Sequence, residues 1–205
     1  MNGFLRNCLW AIAVATLLAG CGNERPPPLQ AVGPPVQKQD IAWPQPPGDF
    51  AWRAQGRLRL DLREGSIAGT AHLLGMANNS LRVVLLADGG VVIDDILLTS
   101  RDRRLPDHQG PLKRIAPALR HALLQMREDS AEWRGGILTA QAREDASTRF
   151  YGGDPLALRR IEGPWGWVTV GDYRLRENLL VPHHLQGIAG PLRWNLQVSE
   201  WHRNQ

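Results

Sequence analysis

The chain has 205 residues, of which 43% are apolar and 21% charged, with a formal net charge of +4. That is enough apolar material for one domain with a sizeable core, and it excludes an acidic disordered chain. The mild positive balance comes almost wholly from arginines spread among acids and apolar residues, with Lys38 and Lys113 the two lysines, so a solvated surface is expected and a nucleic-acid patch is not.

Residues 1–20 read as an export signal. Arg6 opens a short polar start, an apolar run covers residues 8–18, and the small residues Ala19 and Gly20 precede Cys21. The run is about a dozen residues, too short to span roughly 30 Å of hydrocarbon, and no later run approaches 18 uninterrupted apolar residues. Leu18-Ala19-Gly20-Cys21 resembles the lipobox of bacterial lipoproteins. The resemblance implies cleavage before Cys21 and lipid on its sulfur. Gly22 stands where an Asp would mark inner-membrane retention, which implies the periplasmic face of the outer membrane. Cleavage would remove Cys8 and Arg6, leaving one cysteine, no disulfide framework and a net charge of +3. Acyl chains at about 0.8 kcal/mol per buried methylene would make release from the bilayer negligible.

Residues 21–48 carry Pro26-Pro27-Pro28, Pro34-Pro35 and Pro44-Gln45-Pro46-Pro47, and read as an extended, poorly ordered tether. At roughly 3 Å per residue it would hold the body up to about 75 Å from its anchor. Residues 49–205 suit a single domain.

That domain opens at 55–63 with strict alternation, Leu58, Leu60 and Leu62 facing one way. Strands follow at 66–74, 80–87 and 91–99, separated by Ala77-Asn78-Asn79 and Asp88-Gly89-Gly90, which makes an antiparallel meander. Then the period changes. Leu119, Ala122, Leu123 and Met126 fall on one helical face, with Pro117 expected in the first turn and Arg120, His121 and Arg127 projecting from the other side. Further strands are expected at 136–142, 147–151, 156–161, 166–170, 173–176 and 192–201. In the last, Leu192, Trp194, Leu196 and Val198 face inward. The expected class is α+β: a strongly curved antiparallel sheet, or half-open barrel, with one main amphipathic helix on its concave face.

No nucleophile elbow, phosphate loop, dinucleotide fingerprint or zinc spacing is present, so no catalytic residue, metal or cofactor is expected. His183 and His184 would point apart on an extended chain, making a poor metal pair, and a surface or loop role is expected for them. On a strand the carboxylates of Asp94 and Asp95 would point apart, one facing the interior unless the strand is bulged or ends there, and a turn or rim is expected for them. Gly152-Gly153-Asp154-Pro155 and Glu162-Gly163-Pro164 are turn chemistry. Of the eight tryptophans, Trp133, Trp165, Trp167, Trp194 and Trp201 either pack a core or line a cavity for an apolar ligand.

Several short phrases resemble the LolA and LolB family, the periplasmic carrier and outer-membrane receptor that move lipoproteins. They are Ala54-Gln55-Gly56-Arg57-Leu58, the paired runs 81–87 and 91–98, the helix after a polar loop, Phe150-Tyr151-Gly152-Gly153, and Val181-Pro182-His183-His184-Leu185 followed by 192–201. The resemblance implies a half-open barrel closed by helices around an apolar cavity. It also marks a departure, because Asp88-Gly89-Gly90 replaces the exposed Leu of the receptor's matching turn. The first functional expectation is thus a non-enzymatic lipoprotein binding acyl chains of a lipid or lipoprotein, in a cavity lined by Leu58, Leu60, Val84, Leu86, Ile93, Leu119, Leu123, Met126, Trp167, Trp194 and Leu196. The second is an accessory lipoprotein with a filled core, docking on an envelope protein complex through an apolar or strand-edge patch.

Overall fold

The computed structural model describes residues 24–29, 50–99, 109–124, 128–134, 136–142, 146–153, 156–177 and 179–204. Its first four strands, β1 (Trp52–Leu62), β2 (Gly65–Met76), β3 (Ser80–Leu86) and β4 (Val92–Thr99), form the expected meander. The helix α1 (Leu112–Leu123) follows. Then come β5 (Glu128–Arg134), β6 (Ile137–Ala142), β7 (Thr148–Gly152), β8 (Ala157–Gly163), β9 (Gly166–Arg176), β10 (Leu179–Ala189) and β11 (Leu192–Arg203).

All eleven strands lie in one antiparallel sheet ordered β4-β3-β2-β1-β11-β10-β9-β8-β7-β6-β5. Every neighbour is sequential except at one seam. There β1 pairs with β11 from Trp52 against Arg203 to Asp61 against Arg193, with a bulge beside Gln55 and Gly56. The sheet is open, with β4 and β5 as its edges, and α1 lies in the connection between them.

The helix packs against β4, β8, β9 and β10. In a flat sheet β4 and β8 would stand seven strand spacings apart, about 34 Å. A helix of 12 residues is only about 18 Å long. Contact with both therefore requires the sheet to curl around α1, and curling makes the helix-bearing face concave.

Alternation supplies that face. Leu58 and Leu60 of β1, Leu73 of β2, Ile96 and Leu98 of β4, and Leu192, Trp194 and Leu196 of β11 are buried in one cluster with α1. A smaller cluster of Leu138, Ala140 and Tyr151 lies under β6 and β7.

Several expectations need correction. The helix begins five residues before Pro117 and ends at Leu123, so Pro117 is interior and removes the bond that residue 117 would donate to the carbonyl of Lys113. Arg120 and His121 are buried rather than projecting away, because a helix held in a curled sheet has little free surface. Strands β5 and β10 were not expected, and the runs 166–170 and 173–176 are one strand. Pro182 disguised β10, since a proline breaks a strand bonded on both sides. Here pairing with β11 starts only at His184, so the missing N–H falls where that ladder has not begun. His183 and His184 do point to opposite faces. His183, however, is buried within β10 and bonded through Nδ1 to the carbonyl of Val198, not on a loop.

Candidate functional site: the helix-covered concave face

Six of the expected lining residues, Leu58, Leu60, Leu119, Leu123, Trp194 and Leu196, converge on the concave face under α1. They come from β1, α1 and β11, and each is at most 4% exposed. The helix contributes Leu112, Ile115, Leu119 and Leu123, spaced at i, i+3, i+7 and i+11, to the same cluster.

Val84 and Leu86 do not join them. On β3 it is Leu81, Val83 and Leu85 that are buried, so the face was read one residue out of step, and such a slip sends every side chain to the opposite side. Ile93 sits beside the bulge that shifts the β3–β4 register between Leu85 and Leu86, half-buried against the edge of the core. Trp167 is half-buried, one residue off the buried positions Val168 and Val170, and so lies on the outer face of β9. Met126 and Cys21 lie outside the described residues.

The inward positions of β4 are 94, 96 and 98, which places an aspartate in the apolar interior. Asp94, expected at a rim, is buried. Its Oδ2 accepts a hydrogen bond of 2.7 Å from the backbone N–H of Leu112, at the first turn of α1, and Oδ1 accepts one from the N–H of Asp95. A carboxylate there satisfies an otherwise orphaned helix donor and complements the positive end of the helix dipole. A Cβ on Gly110 would collide with that carboxylate, so a side chain there would displace Asp94 from its contact with the helix. Asp95 points outward and pairs with Arg82.

At the other end of α1, His121 stacks on Trp165 with ring centroids 6.0 Å apart, and its Nδ1 lies 3.3 Å from Ser147 Oγ and 3.4 Å from Arg149 Nη2. Arg149 Nη2 also donates to the carbonyl of His121. A guanidinium can only donate, so Nδ1 is the acceptor and the ring proton belongs on Nε2. A serine beside a histidine suggests a nucleophile, yet Ser147 is fully buried and the same nitrogen faces Arg149. The arrangement ties the helix to the start of β7.

The described residues contain no group of three His, Cys, Asp or Glu side chains placed to hold a metal ion. Tyr173 donates to the carbonyl of Leu158 at 2.6 Å, and burial pushes its phenol far above the ordinary range, so it stays protonated. The concave face is thus an apolar surface under a helix held at each end by buried polar contacts. Its chemistry is the burial of hydrocarbon.

Sequence reasoning missed Asp94, His121, Ser147 and Arg149. Asp94 was legible from Ile96 and Leu98, spaced by two on the same face. The His121 cluster joins residues 26 and 28 positions apart, and no local period announces it.

No family model matches the sequence, and no curated protein matches it. Solved structures do resemble it in fold. A LolA superfamily protein from Nitrosomonas europaea superposes with a TM-score of 0.53 at 9% identity, over 77% of this chain and 87% of that one. A domain described as an outer membrane lipoprotein-sorting protein from Vibrio parahaemolyticus gives 0.48 at 8% identity over 78% and 87%, and a DUF1329 family protein from Desulfovibrio piger gives 0.44 at 7% over 77% and 87%. At 9% identity the likeness to the Nitrosomonas europaea protein is one of fold alone.

Proposed function

We propose that this protein is an envelope lipoprotein, anchored through lipid on Cys21 at the periplasmic face of the outer membrane, that binds acyl chains of a lipid or lipoprotein on its concave face. It is a binder and not an enzyme. The observation that carries the reading is α1, an amphipathic helix in the connection between the two edge strands, whose apolar side covers a curled apolar sheet. An acyl chain would take the place of the helix, exchanging one apolar contact for another at roughly 25 cal/mol per Å². Moving α1 would break the Asp94 contact at its start and the His121 contacts at its end. The likeness to a LolA superfamily fold supports the same reading.

Native mass spectrometry of the unlipidated chain beginning at Cys21, mixed with total envelope lipid, tests it. Retained lipid is expected. It should be lost in Leu123→Glu, whose fold is checked by circular dichroism. A folded wild-type protein that retains none turns the reading toward a docking lipoprotein. One observation favours that second reading: the edge strand β4 has a single neighbour and, with the turn before it, exposes Val91, Val92 and Leu97.

A further inference from the structure

The stretch expected to be a free tether is in part seated on the domain. Residues 24–29 lie against the outer face of the sheet, opposite α1. The indole Nε1 of Trp167 on β9 donates to the carbonyl of Glu24 at 2.9 Å, and Arg160 Nη1 on β8 donates to the carbonyl of Pro27 at 2.9 Å. The Glu24 carboxylate pairs with Arg193 on β11 at 2.6 Å. Beside Glu24 opens a cleft of about 310 Å³ that Asp61, Gln186, Ile188 and Asn195 help to line.

These contacts are chemically matched to their occupant. A polyproline segment makes no internal hydrogen bonds, so its carbonyls are free acceptors, and an indole N–H with an arginine supplies the donors. Arg160 is held in place for the task, paired with Glu162 at 2.8 Å and lying 4.5 Å over the ring of Phe150.

We infer that the outer face of β8, β9 and β11 is a docking site for the chain's own Glu24-to-Leu29 segment, and that this contact orients the domain on the membrane. The orientation rests on the reading of Cys21 as the anchor; the docking does not. Cys21 is three residues from Glu24, a reach of at most about 11 Å. The anchor is therefore held close to the last residues of β1 and β10 and the first of β9 and β11. That end of the sheet, with the β1–β2, β8–β9 and β10–β11 turns, faces the bilayer. The length of chain between the anchor and its first contact with the body is then the three residues before Glu24, not the whole proline-rich stretch.

In the unlipidated chain beginning at Cys21, that residue is the one cysteine, so a nitroxide can be attached to it directly. Docking predicts strong broadening of the backbone NMR signals at positions 61, 167, 188 and 193, and in the wild type of the Trp167 indole proton, with the backbone broadening lost in the folded double variant Trp167→Phe/Arg193→Glu. Unbroadened signals in the wild type, or broadening unchanged in the variant, overturn the docking. With Cys21 coupled to a maleimide phospholipid in a phosphatidylcholine nanodisc, gadolinium-lipid broadening should fall on the three named turns. Even broadening over the whole domain overturns the orientation. Intact mass of the protein from cells reads lipidation separately: an unmodified Cys21 sinks the anchor and the membrane orientation built on it while leaving the docking result standing.

Discussion

The two faces of this sheet are built from the same strands yet are held by different forces. The concave face is closed by apolar side chains and by buried polar contacts that pin α1. The outer face carries exposed ion pairs such as Arg57–Asp88 and Arg82–Asp95, with the polyproline segment laid across part of it. Stability should therefore reside on one side and adaptability on the other, since exposed pairs in high dielectric contribute little and buried hydrocarbon contributes much.

Leu85 and Leu86 put that contrast to its sharpest test, being adjacent on β3 and pointing to opposite faces. Leu85→Ala should destabilise by about 2–5 kcal/mol in urea unfolding, through lost burial and the cavity left behind. Leu86→Ala should cost less than half as much. Equal costs would mean that the outer face is as tightly packed as the inner one.

Next in size is Asp94→Ala. It leaves the Leu112 N–H buried without its acceptor and should cost about 1–3 kcal/mol. Hydrogen exchange should also speed up in the first turn of α1 while the β1–β11 seam keeps its protection. Loss of protection throughout would show that the helix is not a separable unit.

The smallest effect belongs to Arg57→Ala, which should leave the unfolding midpoint within experimental scatter at physiological salt. The hydrogen bond from Arg57 holds the Asp88 carboxylate below its usual range. A depressed carboxylate contributes stability only above its unfolded pKa and loses it as pH falls through the folded one. Any difference between wild type and variant should thus be present near neutrality in low salt, fade as pH drops through and below the ordinary carboxylate range, and vanish on adding salt. A difference that survives salt would mean that the pair is shielded from solvent.

How much of this could be read beforehand depended on periodicity. The first meander and β11 were legible because Leu58-Leu60-Leu62 and Leu192-Trp194-Leu196 alternate without interruption. The second half of α1, with Leu119, Ala122 and Leu123 on one face, was legible too, and Leu112 and Ile115 extend the same helical face, so its true start was within reach. Faces were lost where a bulge breaks the count, as at Ile93 in β4, or where β-branched residues run together, as in Val83-Val84 and Val91-Val92-Ile93. The strap was invisible for a different reason. Pro26-Pro27-Pro28 is favourable for extension whether it is solvated or bound, and its receptor is scattered over positions 160, 167 and 193.

The β1–β11 seam has a consequence for how the molecule is assembled. Two meanders made of local hairpins are joined by a pairing between residue 52 and residue 203, so one pairing in the sheet spans almost the whole domain. A chain emerging N-terminus first, from a ribosome or through a pore, can zip the hairpins of β1–β4 early, but β1 must wait with one edge bare until the last dozen residues arrive. Folding should end in a single slow, late step, and truncation within those residues should leave two half-sheets in place of a slightly shorter domain.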